Sequence, residues 1–267
     1  MPRKKKFPVE IFAAGIIVGV VLGSGGYFLA QHFPALLAER TSVDLQKWLE
    51  NSTGATIPIV AVASGAQTFG VVCTLAVKVE PGEGFIYVSP DPMLVGFDFQ
   101  DADRKATKVA GGLAGYAPDA DGVGIKGLDI KFLVVGPGQQ VQIEAIDGPS
   151  AGAATTLVLL AALENKKIRE GAMITGTIEE DGSIGQVGGI FYKAQAAHEA
   201  GATLFLVPKG QGMITVYREV KRRVGPWTFV SYQPELIDLN QYSQEQGWGV
   251  QIVEVSNIQE AAALMLE

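Results

Sequence analysis

The segment DGPSAGAATTLVLLAAL, residues 147–163, joins a tight turn to an apolar helix. Gly148 and Pro149 favour the turn, and from Ala151 onward the segment is apolar almost all round, as in a helix buried on every side. Ser150 falls at the start of this helix, where free backbone N–H groups could stabilise an anion beside a nucleophilic serine. From the turn alone, the favoured alternative is that Ser150 only caps the helix.

A lysine on a second predicted helix suggests how Ser150 could be activated. Within the helix predicted over Ile190–Ala200, Lys193 lies in an apolar stripe, while polar side chains occupy the other side. Burial and the positive end of the helix dipole both disfavour the ammonium form, so we expect a lowered lysine pKa. A neutral lysine can serve as the general base for a serine, and no histidine is suitably placed. Thr175, at the end of a predicted strand, could hold the amine through its hydroxyl.

The composition argues against several other kinds of site. One cysteine in 267 residues rules out an internal disulfide framework and a cysteine-rich zinc site, and two histidines leave little room for a histidine-built metal centre. No G-x-x-x-x-G-K-[ST] motif of Walker-type ATPases occurs in the sequence. The net charge of −7 argues against nucleic-acid binding. We therefore expect no cofactor, no metal and no nucleic-acid partner.

The first 30 residues resemble a membrane anchor. Residues 1–10 form a basic tail with one arginine and three lysines against one glutamate, and residues 11–30 are uncharged and apolar. Twenty such residues in a helix span about 30 Å of hydrocarbon. The positive flank predicts a single-pass protein of the cell membrane, with a cytoplasmic N-terminus and an extracytoplasmic body. The alternatives are a cleaved signal peptide with a secreted body, or a cytoplasm-facing body.

The rest of the chain is predicted to form one domain. We interpret residues 31–56 as a juxtamembrane connector and residues 57–267 as a single α+β domain, with an elaboration near residues 226–248. Apolar and β-branched runs predict strands over Ile57–Ala63, Val71–Val79, Phe85–Val88, Asp129–Val135, Val141–Ile146, Met173–Ile178 and Thr203–Val207. Helices are predicted over Phe99–Ala110 with Asp98 as cap, Ala151–Leu163, Ile190–Ala200, and a last helix opened by a Ser256/Gln259 capping box.

Several motifs in order resemble the proteolytic domain of Lon-type proteases. They are DGPSAG at residues 147–152, Thr175-Gly176, Gly188-Gly189 before Lys193, Gly201, and Val207-Pro208-Lys209. The interval of 43 residues from Ser150 to Lys193 also looks like that of the family. The resemblance implies a Lon-type fold of mixed sheets with packed helices.

The resemblance also implies a function. It implies a serine endopeptidase that cuts unfolded or flexible polypeptides after docking them as an extra strand, and that forms a homo-oligomer, a hexamer in the family. Ser150 corresponds to the nucleophile, Lys193 to the general base and Thr175 to the partner that orients the lysine. Asp147 matches a motif acid near this dyad. The absent ATPase motif and the predicted anchor depart from the family, so we expect a membrane-anchored, ATP-independent protease.

Two other functions stay open at this stage. One is a non-catalytic module that uses the same fold to bind peptides or partners, which would explain the absent ATPase motif. It leaves the lysine on an apolar helix face unexplained. The other is a hydrolase of small esters. The segment GPSAG at residues 148–152 fits the letters of the G-x-S-x-G motif, but the histidine that such a nucleophile uses has no suitable candidate here.

Overall fold

The computed structural model describes residues 44–64, 68–91, 94–136, 145–146 and 148–267. The described residues belong to one compact unit, Ser42–Glu267. The predicted tail and anchor, Asp147 and most of the strand predicted over Val141–Ile146 lie outside the described residues. None of the helices that the structure describes is long and apolar enough to cross a membrane.

Thirteen strands form in the described part of the chain. They are β1 Thr53–Ser64, β2 Thr68–Pro81, β3 Ile86–Asp91, β4 Leu94–Val95, β5 Leu128–Val135, β6 Ala145–Ile146, β7 Ala172–Ile174, β8 Thr177–Ile178, β9 Ile184–Gly185, β10 Leu204–Pro208, β11 Met213–Val224, β12 Trp227–Asp238 and β13 Gln251–Val255. The helices among the same residues are α1 Leu45–Leu49, α2 Phe97–Leu113, α3 Gly152–Glu164, α4 Ile190–Glu199, α5 Leu239–Glu245 and α6 Ile258–Met265.

Seven strands form the central sheet, in the order β13-β10-β7-β1-β2-β5-β3. Six of them run in one direction, and β2 runs antiparallel to its neighbours β1 and β5. The register of β1 and β2 is continuous, from Thr53 opposite Val79 to Ser64 opposite Thr68. In this sheet the carboxyl ends of β7 and β10 lie side by side. The residues that follow β7 are therefore near α4 and near the turn that contains Ser150.

Helices cover both faces of the sheet because the side chains of its strands alternate between two cores. On β1, Ile57 and Ile59 join the core with α2, α3 and α6, whereas Val60 joins the core with α4 and α5. Helix α3 is buried along 11 residues, as its all-round apolar sequence predicts. The predicted mixed sheet with packed helices is therefore present, and its helices lie on both faces.

The strand predicted over Met173–Ile178 is broken at Thr175 and Gly176. The amide of Thr175 still donates to Leu206 O (3.1 Å), but the amide of Gly176 donates to Ser150 O (3.0 Å). The chain therefore leaves the sheet toward the serine turn and forms β8, which pairs with β9 instead. These tertiary hydrogen bonds divide what the sequence pattern suggests is one strand.

Both predicted helix caps are wrong by one or two residues. Helix α2 begins at Phe97 after an extended Gly96, so Asp98 lies in its first turn. At α6 the cap is Asn257, whose side chain accepts from the Glu260 amide at 2.9 Å, while the Glu260 carboxylate accepts from the Ser256 amide at 2.7 Å. The reciprocal pattern exists, but it is made by the next residue along the chain in each case.

A long hairpin overlaps the predicted elaboration: β11 lies before residue 226, and β12 lies within residues 226–248. Strands β11 and β12 pair over twelve residues each around the two-residue turn Gly225-Pro226, and Gly225 has φ +60°. Helix α5 follows directly. The predicted connector likewise contains α1 and the start of β1.

Candidate active site

Ser150 lies in a short 3-10 turn, Pro149–Ala151, directly before α3. Gly148 precedes the turn with φ +98°, a conformation that residues with a Cβ rarely adopt. Gly152 follows it, and a Cβ there would lie 2.7 Å from Ile178 Cγ2. Both glycines are thus needed to hold the serine turn tightly against β8, and Ser150 itself is half-buried.

Two amides at this junction already have protein acceptors. The Gly152 N–H donates to Pro149 O, and the Ala153 N–H donates to Gly176 O at 3.1 Å. The prediction that amides at the helix start are free to stabilise an anion is therefore wrong for these two. An oxyanion next to Ser150 would have to use amides that precede Gly152 in the turn.

Lys193 is fixed by close packing at the start of α4. Gly189 caps this helix with φ +68°, and a Cβ there would lie 2.6 Å from Val62 Cγ2 on β1. A Cβ at Gly70 on β2 would collide with the carbonyl oxygen of Tyr192. Glycine at both positions lets the first turns of α4 approach the sheet closely, and Lys193 is only 3% exposed.

Hydrogen bonds connect three of the residues that the sequence predicts at the site. Lys193 Nζ donates to Thr175 Oγ1 at 3.1 Å, and Thr175 Oγ1 donates to the carbonyl oxygen of Ser150 at 3.2 Å. The Gly176 amide donates to the same carbonyl oxygen. Thr175 is fully buried, so this network is shielded from water. The fourth predicted residue, Asp147, lies outside the described residues.

The buried amine is poised to lose its proton near neutral pH. Burial lowers the pKa of Lys193 from 10.5 to about 8, because desolvation disfavours the ammonium form. Such a pKa suits a general base, since a useful fraction of the amine is neutral at physiological pH. The arrangement can therefore accept a proton and return it without a histidine.

His198 is engaged elsewhere. Its Nδ1 lies 3.0 Å from Trp248 O, and its ring stacks on the Trp248 ring with centroids 5.3 Å apart. The residue is half-buried rather than a simple surface side chain. Among the described residues, no group of three or more His, Cys, Asp or Glu side chains is placed to hold a metal ion.

One buried charged residue escaped the sequence analysis. Asp103 on α2 is fully buried, and burial raises the pKa of its carboxyl well above the usual range. The pattern that indicates burial of Lys193 also indicates burial of Asp103, because Asp103 lies on the same helix face as the apolar residues Phe99, Ala106 and Ala110. Helix α2 packs against α3 and the serine turn, so Asp103 belongs to the scaffold behind the site.

Comparisons with known proteins match part of the chain to one family. The family described as Lon protease (S16) C-terminal proteolytic domain matches residues 143–224, a range that contains Ser150, Thr175 and Lys193. The Lon protease of Dictyoglomus thermophilum is 34% identical over 95 residues, which are 35% of this chain and 12% of that protein. The Lon protease of Frankia alni is 38% identical over 66 residues, 25% of this chain and 8% of that protein. The mitochondrial Lon protease homolog of Yarrowia lipolytica is 41% identical over 63 residues, 24% of this chain and 5% of that protein.

The similarity covers only a small part of each of these relatives. The matched segments span 12% or less of the length of these curated relatives. Within that part, the family agrees with the resemblance that the motifs at Ser150 and Lys193 suggest, and that prediction is confirmed. Residues 143–224 are therefore similar to the proteolytic domain of the Lon-type (S16) serine peptidases.

Proposed function

We propose that this chain is a serine endopeptidase in which Ser150 is the nucleophile and Lys193 the general base. The observation that carries the proposal is the buried Lys193 amine, which hydrogen-bonds to Thr175 and through it to the backbone of Ser150. A lysine in a dry site, without a described carboxylate to hold its charge, destabilises the folded protein, and a catalytic use of its neutral form accounts for a lysine at this position. Proton transfer from a neighbouring serine is such a use.

In the first half of the reaction, the neutral Lys193 amine takes the proton of the Ser150 hydroxyl as the serine oxygen attacks the peptide carbonyl carbon. Negative charge develops on the carbonyl oxygen, which backbone amides of the serine turn stabilise. The C–N bond then breaks, and the Lys193 ammonium gives its proton to the leaving amine. Lys193 is neutral again, and the acyl group is held as an ester on Ser150.

In the second half, the same amine takes a proton from a water molecule. The water oxygen attacks the ester carbonyl, the bond to the Ser150 oxygen breaks, and the proton on Lys193 returns to that oxygen. Thr175 holds the Lys193 amine throughout, because its hydroxyl accepts from Nζ while donating to the Ser150 carbonyl. Free enzyme and a carboxylic acid product result.

Unfolded or flexible polypeptides are the proposed substrates. The short parallel pair β4–β6 lies next to the site, since β6 ends at Ile146, four residues before Ser150. An extended peptide docked as an additional strand would carry its backbone past the serine turn. A folded substrate could not offer such a segment, so we expect cleavage only where the chain is locally extended.

The same proposal includes three finer points that rest on the sequence. Residues 11–30 anchor the protein in the cell membrane with the protease domain on the extracytoplasmic side, cleavage proceeds without an ATPase module of its own, and the chain forms a homo-oligomer. Shaving of intact cells with an external protease tests the first point, because full protection of the domain before lysis would contradict it.

Cleavage of fluorescent casein by the full chain tests the activity. We expect hydrolysis by the wild type with or without ATP, and none by Ser150→Ala or Lys193→Ala. The exposed Ser231→Ala and Lys166→Ala are matched controls and should keep wild-type rates. Casein that is bound but not cleaved by all five proteins would favour the non-catalytic binding module instead.

A further inference from the structure

The β11–β12 hairpin projects from the domain and is covered by nothing that the structure describes. Its base is half-buried at Ile214 and Ile237, and Ile214 packs against the core beneath α4. Beyond Val216, nearly every residue of both strands is exposed. Eight residues from Tyr217 to Val224 extend about 26 Å at 3.3 Å per residue.

The hairpin tip, residues 220–230, exposes large apolar side chains, mostly on one of its two faces. Partners across an antiparallel pair share a face, so Val224, Trp227 and Phe229 lie on one side and Val230 on the other. Trp227 is 71% exposed, Phe229 59% and Val230 49%. Large aromatic side chains are seldom left in water without a partner.

The tip also concentrates positive charge in an acidic protein. Lys221, Arg222 and Arg223 are consecutive, and no acidic residue occurs from Val220 to Pro234, while the whole chain carries −7. Lys221 pairs with Glu219 at 2.7 Å. Within the described part of the chain, Arg222 and Arg223 have no ion-pair partner. Their guanidinium groups are therefore available to an anionic surface.

The order of groups along the hairpin matches the layers of a bilayer surface. The uncharged turn from Val224 to Trp227 comes first, and the three cations follow within about 10 Å, the depth of the headgroup region. Trp227 lies at the turn itself, and tryptophan favours this interface. A second copy of the acidic chain that covered one face would reach only part of the positive charge, because Arg222 lies on one face and Lys221 and Arg223 lie on the other.

We propose that the β11–β12 hairpin inserts its tip into the headgroup layer of an anionic membrane and holds the protease domain above it. Arg222 and Arg223 contact lipid phosphates, Phe229 lies beside Arg222 at the same level, and Trp227 at the turn enters the acyl boundary. About 10 Å of the hairpin's length of about 26 Å lies in the headgroup layer, so the acidic domain stands about 16 Å above that layer. This is about two Debye lengths at physiological salt, and repulsion between domain and membrane is therefore largely screened. This inference is independent of the proposed peptidase activity.

A fluorophore on the tip of the full chain tests the proposal. Thr228→Cys carries an NBD label at the tip, and Thr215→Cys carries it on the same face near the base as the matched control. The native cysteine, Cys73, is buried, so unmodified chain should take up no label. The labelled chains are reconstituted in vesicles of phosphatidylcholine alone or with 30% phosphatidylserine.

In the phosphatidylserine vesicles, we expect the NBD fluorescence at position 228 to shift to the blue and to be quenched by a nitroxide on the lipid headgroup. The label at position 215 should show neither effect. The double variant Arg222→Gln/Arg223→Gln should lower the ratio of inserted to free tip about thirtyfold, since each cation near such a surface contributes about 1 kcal/mol. Its thermal unfolding should match that of the parent, because both side chains are exposed.

Three results would overturn the proposal. They are equal spectra at positions 228 and 215 in every vesicle, equal quenching at position 228 without the anionic lipid, and a blue shift that needs no lipid and grows with protein concentration. The last result would assign the hairpin to contact between copies of the chain.

Discussion

Replacing Lys193 with methionine should stabilise the protein in a pH-dependent manner. The buried amine has a pKa of about 8 in the folded chain, against 10.5 when exposed. Between these values the unfolded chain binds more protons than the folded chain, so the free energy of unfolding of the wild type rises with pH. Below pH 8 the full penalty of the buried ammonium is present.

The size of the effect follows from the two pKa values. At pH 7 the penalty is about 3 kcal/mol, and at pH 10 it has fallen to about 1 kcal/mol. Lys193→Met fills a similar volume with an apolar side chain and removes the ionisation. We therefore expect the variant to exceed the wild type in stability by up to about 3 kcal/mol at pH 7, and this margin to shrink by about 2 kcal/mol at pH 10.

Urea unfolding of both proteins at pH 7 and pH 10 measures this margin. Other groups that titrate in this range contribute equally to both proteins and cancel in the difference. Lys166→Met, at an exposed lysine, is the control and should give a margin that does not change with pH. A margin for Lys193→Met that is equally flat would refute the reasoning, because the Lys193 amine would then be as well solvated as in the unfolded chain.

Three further predictions concern the site and its scaffold. Thr175→Val should lower kcat for casein about tenfold to a hundredfold by removing the acceptor of the Lys193 amine, whereas Thr175→Ser should keep most of the activity; equal rates would contradict the positioning role. Gly189→Ala should lower the free energy of unfolding by at least about 1–2 kcal/mol, because its φ is +68° and its Cβ would meet Val62; unchanged urea unfolding would contradict this. Asp103→Asn should be more stable than the wild type at pH 7. The gain in free energy of unfolding should grow by about 1.4 kcal/mol per pH unit between pH 4 and the raised pKa, because the folded wild type keeps a proton that the unfolded chain loses. Urea unfolding at pH 5 and pH 7 measures this growth, which would be absent if the buried carboxyl were ionised.

The features that the sequence predicted well depend on local patterns. The buried α3 follows from an uninterrupted apolar run, and the burial of Lys193 follows from its place in an apolar stripe. The prediction that Ser150 and Lys193 share one site came from the order of several motifs. Helical periodicity alone could not have provided it. For these reasons the family and the core elements could be predicted before any coordinates.

The features that the sequence did not predict depend on contacts between distant segments. The break at Thr175 requires hydrogen bonds to Leu206 and Ser150, which no local pattern encodes. The full extent of the β11–β12 hairpin was missed because both of its faces are solvated, and the alternation that marks a half-buried strand is therefore absent. Asp103 is different, because its place in an apolar helix stripe was readable and was overlooked.

The most direct test of the Ser150–Lys193 dyad is the rate at which a fluorophosphonate modifies Ser150 as a function of pH, with the modified residue located by mass spectrometry. A neutral lysine must be present for the serine to react, so the wild-type rate should rise with pH to a plateau, with its midpoint near pH 8. Lys193→Met should be modified at a negligible rate at every pH. Modification of Ser150 at the same rate in both proteins, or a wild-type rate with no inflection between pH 6 and pH 10, would contradict the dyad.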